Sequence, residues 1–149
     1  MQSAEPSPSR IVTASWTALY QQRHALEVTP IRISLGIPKF WHAAEAFPAP
    51  TVLMPSGWMF DLESAAFDVA YLTKLDRIGV DRIRARLATI PSAGNLALAC
   101  FEADPAHCHR GLLAAWWFKQ TGEVVPEIFQ QLTASDAIQE LPQDRPQRG

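Results

Sequence analysis

The residues best suited to chemistry lie together in one short segment, from Cys100 to Arg110. This segment holds both cysteines of the chain, two of its four histidines, two carboxylates and an arginine. Thiols, imidazoles and guanidinium groups serve proteins in nucleophilic attack, metal coordination and anion binding. An apolar run precedes the segment and a helical pattern ending in Trp116-Trp117 follows it. The sequence therefore predicts a functional site at a strand-to-helix junction.

Arg110 is the first candidate for ligand binding. It lies in the first turns of the predicted helix, where the helix dipole is positive and a cation requires an anionic partner. One alternative is an internal carboxylate, Glu102 or Asp104. The other is an external phosphate, sulfate or carboxylate, which the helix N–H groups and Arg110 would bind together. The far side of such an anion site would be closed by Ser34, Gly36 and Lys39.

Cys108 and His109 are the candidates for catalysis, with Glu102 as an orienting or general-base carboxylate. A thiol at a helix start beside Arg110 ionises readily and can attack as a nucleophile, whereas a buried thiol is a small, inert hydrophobe. His109 is predicted to point inward, either as a hydrogen-bonded core histidine or as a base beside the thiol. It shares a helical face with Leu112, Leu113 and Trp116.

A metal site and a redox disulfide are further alternatives for the same residues. Cys100 and Cys108, with His107 or His109, supply three soft ligands, and His42 would be a distant fourth. Their spacing is not that of a zinc finger, so no metal is favoured. The two cysteines also suffice for a redox disulfide, although they lack the compact CxxC arrangement. A strand-end cysteine followed by a helix arginine has the layout of phosphatase loops, but with a longer loop.

The apolar pattern predicts the elements that hold these groups. Strands are expected at 11–16 and 28–35, and the continuously apolar run 96–100 is typical of a strand buried on both faces of a sheet. If the second and third of these strands are neighbours, the loops that follow them line one crevice. Val124, Val125 and Ile128 are expected to form either a last edge strand or an apolar tail segment.

Helices are expected between and after these strands. One runs from an N-cap at Asp61 to about Ile78, with Gly79 as its stop, and a second runs over 80–90. A third begins at Asp104-Pro105, or as late as His107, and ends near residue 122. This order favours a small α/β domain of two or three layers, with a mostly parallel sheet flanked by helices.

The whole chain has the composition of one folded domain, with 48% apolar and 19% charged residues. We expect residues 10–141 to form the domain and residues 1–9 and 142–149 to be flexible tails. No apolar run reaches the length of a membrane span, and the N-terminal residues do not have the pattern of a signal peptide. The sequence therefore predicts no membrane partner and a cytoplasmic location.

The net charge of −2 does not favour nucleic acid as a partner. The basic stretch 74–86 is expected to be a solvated helix face rather than a DNA-binding stripe. Prolines and aromatic residues in 37–60 predict an irregular excursion with a short helix near 41–46, which is either a lid over the site or a flap over the core. Phosphate-loop and dinucleotide motifs are absent from the sequence, so it names no cofactor.

Three segments carry a resemblance to a known family: IRISLGIPKFW at 31–41, LDRIGVDRI at 75–83 and ACFEADPAHCHRGLLAAWW at 99–117. They resemble domain of unknown function 488, whose C-x-E and C-H-R signature is matched by Cys100, Glu102, Cys108, His109 and Arg110. The resemblance extends over about 11–127 and is greatest to short members from actinobacteria and their phages. It implies a compact α/β domain with a site at the signature, and it implies no particular reaction.

Three functional hypotheses follow from the sequence. The first is an α/β domain that binds a small anionic ligand such as a phosphate compound or nucleotide, with Cys108 as nucleophile if the domain is an enzyme. The second is a non-catalytic module that contacts protein or nucleic acid through the exposed aromatic residues or the basic helix face. The third is a small metal protein that uses Cys100, Cys108 and His109.

Overall fold

The computed structural model describes residues 7–102 and 108–129 of the chain. Within these ranges the chain forms four α-helices and five short strands, and three of the helices correspond to predicted ones. The helices are α1 (Trp16–Gln21), α2 (Ser64–Ile78), α3 (Val80–Ala88) and α4 (His109–Thr121). The strands are β1 (Ser7–Pro8), β2 (Ile11–Ser15), β3 (Thr29–Arg32), β4 (Leu96–Cys100) and β5 (Glu123–Val124). Four 3-10 helices occupy Arg23–Ala25, His42–Ala46, Thr51–Leu53 and Gly57–Asp61.

The sheet that carries the site is parallel and has the order β2-β4-β3. Its central strand β4 pairs from Leu96 to Cys100 with Ile11 to Ser15 on one side, and with β3 on the other. All five residues of β4 are buried, as expected of a parallel strand covered on both faces. A second small sheet joins β1 and β5 in parallel. The described residues thus form an α/β fold with a mostly parallel sheet flanked by helices, which confirms the predicted fold class.

The two faces of β4 differ in side-chain size, and this difference sets what covers each of them. Leu96, Leu98 and Cys100 face the larger core, where α2, α3 and α4 pack. The alternate residues Ala97 and Ala99 face the other way, and their small side chains leave room for large aromatic rings. Those rings are Trp16, Trp41 and Phe47, which pack in mutual contact. The part of segment 37–60 that contains Trp41 and Phe47 therefore covers the core, which is one of the two roles predicted for this segment.

Several predicted boundaries differ from those of the structure. Strand β3 covers Thr29–Arg32 rather than 28–35, and the last strand covers Glu123–Val124. Helix α2 begins at Ser64 with Glu63 as its N-cap, two residues after the predicted N-cap Asp61, which is instead the last residue of the 3-10 helix Gly57–Asp61. Gly79 has a φ of +86° and ends α2, as its stop signal predicts. The short helix α1 was not predicted. It begins at Trp16, where the Ser15 hydroxyl accepts a hydrogen bond from the Ala18 amide, so β2 ends one residue earlier than expected.

Several sequence predictions fall partly or wholly outside the described residues. The start of α4 was expected at Asp104-Pro105 or at His107, both of which lie in 103–107, and the described part of the helix begins at His109. The C-terminal tail 142–149 also lies outside. Of the segment expected to be an N-terminal tail, Ser7 and Pro8 pair with β5. No helix within the described ranges is long and apolar enough to cross a membrane.

Candidate functional site

The two cysteines occupy the two sides of the strand-to-helix junction. Cys100 is the last residue of β4 and is only 1% exposed, while Cys108 is the half-buried N-cap of α4. Their sulfur atoms are joined as a disulfide, with a Cα–Cα distance of 7.1 Å. The parallel strand and the helix that returns along it place the two residues together, although eight positions separate them in sequence. The structure therefore brings the two sulfur atoms to one point, as both the redox-disulfide and the metal alternatives of the sequence require.

His109 lies beside this pair with its ring fixed in one orientation. Its Nε2 atom is 2.7 Å from the carbonyl oxygen of Ile33, at the end of the neighbouring strand. Because a carbonyl only accepts hydrogen bonds, Nε2 carries the proton and donates it. The other ring nitrogen, Nδ1, lies 4.0 Å from Cys108 Sγ. The rings of Tyr71 and Phe67 pack against the imidazole and hold its plane.

Burial decides the charge of His109. It lowers the pKa of the imidazole to about 4, against the smaller upward effect of the hydrogen bond to Ile33, and the positive charge of Arg110 lowers it further. At neutral pH the ring is therefore uncharged, and Nδ1 presents a lone pair toward the sulfur atoms. The sequence prediction of an inward, hydrogen-bonded histidine is confirmed. A ring with this pKa is a weak general base, so it is better suited to accept a hydrogen bond or to bind a metal.

Arg110 is fully buried and has partners on three sides. Its Nε and Nη2 atoms donate to the two carboxylate oxygens of Glu127, at 2.9 and 2.8 Å. Its Nη1 atom donates to the backbone oxygen of Glu102 at 2.6 Å and lies 3.4 Å from Cys100 Sγ. Arg110 therefore has the anionic partner that its position at a helix start predicts. That partner is Glu127, which the sequence analysis did not consider. Asp104, one of the two partners considered, lies outside the described residues.

Glu127 is in turn held by the first strand of the sheet. Its Oε1 atom accepts a hydrogen bond of 2.6 Å from the hydroxyl of Thr13, and the two residues form an isolated parallel bridge next to β2. The chain after β5 is thereby attached to the edge of the sheet. Every buried side-chain nitrogen or oxygen in the described part of the chain has a hydrogen-bond partner. The polar groups beneath the cysteines therefore form a satisfied network.

A pocket of about 400 Å³ opens above the two cysteines. The strands β3 and β4 are neighbours, as the crevice prediction required, and the loops that follow them form its walls. Its lining is mainly apolar and consists of Ser34, Leu35, Gly36, Phe60, Phe67, Cys100, Phe101, Glu102, Cys108 and His109. A second cavity of about 350 Å³ shares Phe60, Phe67, Cys108 and His109, and is also lined by Ser64 and Asp68. None of these described lining residues is Lys or Arg.

Comparison with known protein families places this geometry in a family. The family model described as domain of unknown function DUF488 matches residues 56–117, which include α2, α3, β4 and most of α4. This part of the chain is similar to the DUF488 family, as the resemblance in the sequence predicted. Comparison with the curated proteins and with the solved structures finds no match. The chemistry of the site must therefore be inferred from its own residues.

The three residues predicted to close an anion site have different surroundings. The Ser34 hydroxyl accepts a hydrogen bond from the Trp16 indole at 3.0 Å and donates one to the Gly36 carbonyl at 2.7 Å, so it is occupied within the fold. Gly36 lines the pocket, near the ring of Phe101. Lys39 is exposed and is not among the residues that line either cavity.

Three soft donor atoms at the junction lie close enough to share one ligand. The sulfurs of Cys100 and Cys108 and a ring nitrogen of His109 are all within 4.8 Å of one another. His42, the distant fourth candidate, lies apart from this group. Its side chain is 93% exposed, 4.0 Å from the carboxylate of Glu45. His107, the alternative histidine ligand, is outside the described residues.

Proposed function

We propose that this protein is a thiol–disulfide oxidoreductase whose reacting residues are Cys108 and Cys100. The observation that carries the proposal is that the sulfur atoms of the two cysteines lie within bonding distance of each other at the floor of an open pocket. A disulfide that a ligand can approach is the oxidised half of a two-state redox couple, and the dithiol is the other half. A cytoplasmic location, where thiols are kept reduced, is part of this proposal.

The positions of the two cysteines assign them different roles. Cys108 is half-buried and lines both cavities, so a substrate can reach its sulfur. Cys100 is 1% exposed and lies beneath it at the end of β4. Cys108 is therefore the attacking residue, and Cys100 is the resolving residue that closes the disulfide.

Two features of the fold favour the thiolate forms that such a reaction needs. Cys108 is the N-cap of α4, where the unpaired N–H groups and the helix dipole stabilise a negative charge. Cys100 Sγ lies 3.4 Å from Nη1 of Arg110, which is always protonated and donates to a thiolate better than to a thiol. Both contacts stabilise the negative charge of the thiolates that attack in the two exchange steps.

The reaction is a pair of thiol–disulfide exchanges. The Cys108 thiolate attacks one sulfur of a substrate disulfide, the substrate S–S bond breaks, and one substrate thiolate leaves and takes up a proton. The Cys100 thiolate then attacks Cys108 Sγ, and the second substrate thiolate leaves. The substrate has gained two electrons and the protein has formed the Cys100–Cys108 bond. A dithiol reductant from the surroundings returns the protein to its reduced state.

The neighbouring residues assist these steps without providing the electrons. His109 Nδ1, at 4.0 Å from Cys108 Sγ, orients the Cys108 thiol as a hydrogen-bond acceptor. Glu102 lines the pocket and is exposed, so its carboxylate is the candidate general base that passes the proton to solvent. The apolar rim formed by Leu35, Phe60 and Phe101 favours a substrate whose sulfur is carried on an apolar or aromatic group.

The anion-binding hypothesis receives less support from the geometry than the thiol hypothesis does. Arg110 is fully buried and engaged by Glu127, and the hydroxyl of Ser34 is used inside the fold. The helix N-terminus at Cys108 favours a negative charge in the pocket. It would stabilise a substrate thiolate as well as a phosphate, so it does not distinguish the two hypotheses. A phosphate or nucleotide ligand stays a prediction, to be checked by a thermal-shift screen of the oxidised protein.

The test is the reactivity of each cysteine toward glutathione disulfide in the full chain. In Cys100→Ser the attacking thiol remains without its resolving partner, so a glutathione adduct should accumulate on Cys108 and be visible by mass spectrometry. In Cys108→Ser the remaining thiol is buried, and we expect adduct formation at least about 10-fold slower. Circular dichroism and thermal melting establish that both variants are folded.

Wild-type protein provides the complementary measurement. Reduced wild type should convert to the Cys100–Cys108 disulfide without a lasting adduct, and a glutathione redox titration should show a two-electron transition. Two outcomes contradict the proposal: a folded wild type that stays a dithiol in excess glutathione disulfide, or equal adduct rates in the two variants.

A further inference from the structure

We propose that the reduced protein binds one soft metal ion, of the class of Zn²⁺ or Cu⁺, through Cys100 Sγ, Cys108 Sγ and His109 Nδ1. The inference uses the dithiol state of the proposed function but goes beyond it, because metal binding requires no electron transfer. It rests on three donor atoms that lie within 4.8 Å of one another on two different elements. The disulfide and the metal complex exclude each other, because the metal requires the two thiolates that the disulfide consumes.

The chemistry of the donor set selects the class of ion. Thiolate and imidazole ligands favour zinc and copper(I), whereas magnesium and calcium require oxygen ligands. Two thiolates and one neutral imidazole together carry a charge of −2, which neutralises a divalent ion. Glu102, the carboxylate on the pocket wall, is exposed and provides an oxygen near the same cavity.

The orientation of His109 is the observation that points to a metal rather than to a thiol pair alone. Metal-bound histidines usually donate their second ring N–H to a carbonyl or carboxylate, which fixes the tautomer that leaves the other nitrogen to bind the ion. His109 has this arrangement, because Nε2 donates to the Ile33 carbonyl at 2.7 Å and Nδ1 is the nitrogen near the sulfurs. The packing of Tyr71 and Phe67 holds the ring in that plane.

The supports of the three ligands are rigid, as a metal site requires. Cys100 is anchored by the central strand of the sheet, and Cys108 and His109 by the first turn of α4. The pocket lies on the ligands' open side, so three protein ligands leave a fourth position for water or a substrate sulfur. Three protein ligands with one open position is the pattern of catalytic rather than structural zinc sites.

The experiment uses the full chain reduced with a phosphine, which does not itself supply thiol ligands. Titration with Co²⁺, a spectroscopic substitute for Zn²⁺, should give visible d–d bands and thiolate-to-metal charge-transfer absorption that saturate at one ion per chain. Zn²⁺ should then displace Co²⁺ and abolish both signals. Oxidation of the apo protein with glutathione disulfide should prevent binding altogether.

Variants separate this site from adventitious binding. Cys108→Ala, at a half-buried position, should remove about half of the charge-transfer intensity and weaken binding by at least about 100-fold. His109→Gln keeps an N–H for the Ile33 carbonyl but lacks Nδ1. It should weaken binding by at least about 10-fold, because even the loss of an outer partner of a metal ligand costs about 10- to 100-fold. The matched control is His42→Gln, which alters an exposed histidine away from the cluster and should leave the titration unchanged.

Two results would overturn the inference. One is a reduced, folded wild type that shows no charge-transfer band with Co²⁺ and no rise in melting temperature with Zn²⁺. The other is binding that persists equally in Cys108→Ala and His109→Gln. The proposed oxidoreductase function is tested independently, by the reaction of the metal-free protein with glutathione disulfide. Exchange without metal binding removes only the metal site, whereas metal binding without exchange removes the oxidoreductase.

Discussion

Arg110 and Glu127 form a bidentate ion pair that joins the first turn of α4 to the segment after β5. The Nη2–Oε2 distance is 2.8 Å, the arginine side chain is fully buried, and that of the glutamate is 11% exposed. Seventeen positions separate the two residues in sequence. The same guanidinium reaches Cys100 Sγ through Nη1, so the ion pair fixes the cation that lies against the resolving cysteine.

Glu127→Gln tests whether this pair holds the site together. The change leaves the Arg110 charge buried with only part of its compensation, and removing one partner of a buried pair typically costs about 3–5 kcal/mol. We expect a lowered free energy of unfolding, measured by urea denaturation followed by tryptophan fluorescence. Glu45→Gln is the matched control, because its exposed pair with His42 should contribute less than about 0.5 kcal/mol. Equal, small effects in both variants would show that the buried pair is not a stabilising contact.

Ser34→Ala distinguishes a structural serine from an anion-binding one. The hydroxyl links the indole of Trp16 to the carbonyl of Gly36, and its loss leaves a buried indole N–H without this acceptor. Such a loss costs about 1–3 kcal/mol. We expect that decrease in unfolding free energy, with no change in the rate of Cys108 reaction with glutathione disulfide. A variant of wild-type stability with altered cysteine reactivity would return Ser34 to the list of ligand-binding residues.

The fold was largely predictable because its signals are local. The continuous apolar run of β4 indicates a strand buried on both faces, and Gly79 marks the end of α2. Helix α1 was missed because six residues are too short to show a helical period, and the strand pattern before it runs directly into Trp16. The crevice between the loops after β3 and β4 also followed from the order of the elements.

The contacts of the site were only partly predictable, because they depend on residues far apart in sequence. The unfavourable position of Arg110 at a helix start correctly indicated an anionic partner, but sequence proximity suggested Glu102 or Asp104 rather than Glu127. Likewise, the helical face of His109 predicted that it points inward, whereas its partner is a backbone carbonyl at Ile33, 76 positions away. A backbone acceptor has no side-chain signature that a sequence could display.

Gly94→Ala tests the turn that leads into β4. A Cβ atom at this position would lie 2.4 Å from the backbone oxygen of Glu27, so the two loops would have to separate. Forcing atoms into a filled space typically costs about 1–3 kcal/mol, and we expect a loss of this size in thermal and urea unfolding. Gly57→Ala is the control, because no atom lies within 4 Å of its added methyl group. The steric explanation is wrong if the two variants have the same stability.

The pH dependence of stability tests the neutral, buried state of His109. Burial lowers the pKa of this ring to about 4, from an unfolded value near 6.5. As the pH falls through about 6.5 the unfolded chain takes up a proton that the folded protein does not bind until about pH 4. The unfolded state is therefore favoured progressively across this window, by about 3 kcal/mol in total. Urea denaturation of the oxidised, metal-free protein at several pH values measures this loss.

His109→Gln isolates the histidine from the carboxylates that titrate in the same range. Glutamine can still donate to the Ile33 carbonyl but does not titrate between pH 4 and 7. The difference in unfolding free energy between wild type and the variant should therefore shrink or reverse as the pH falls from 7 to 4. Parallel pH profiles would mean that His109 takes up its proton equally in the folded and unfolded states. In that case burial would not lower the pKa of the ring below its ordinary value of 6.5, and the description of His109 as a desolvated, neutral imidazole down to about pH 4 would be wrong.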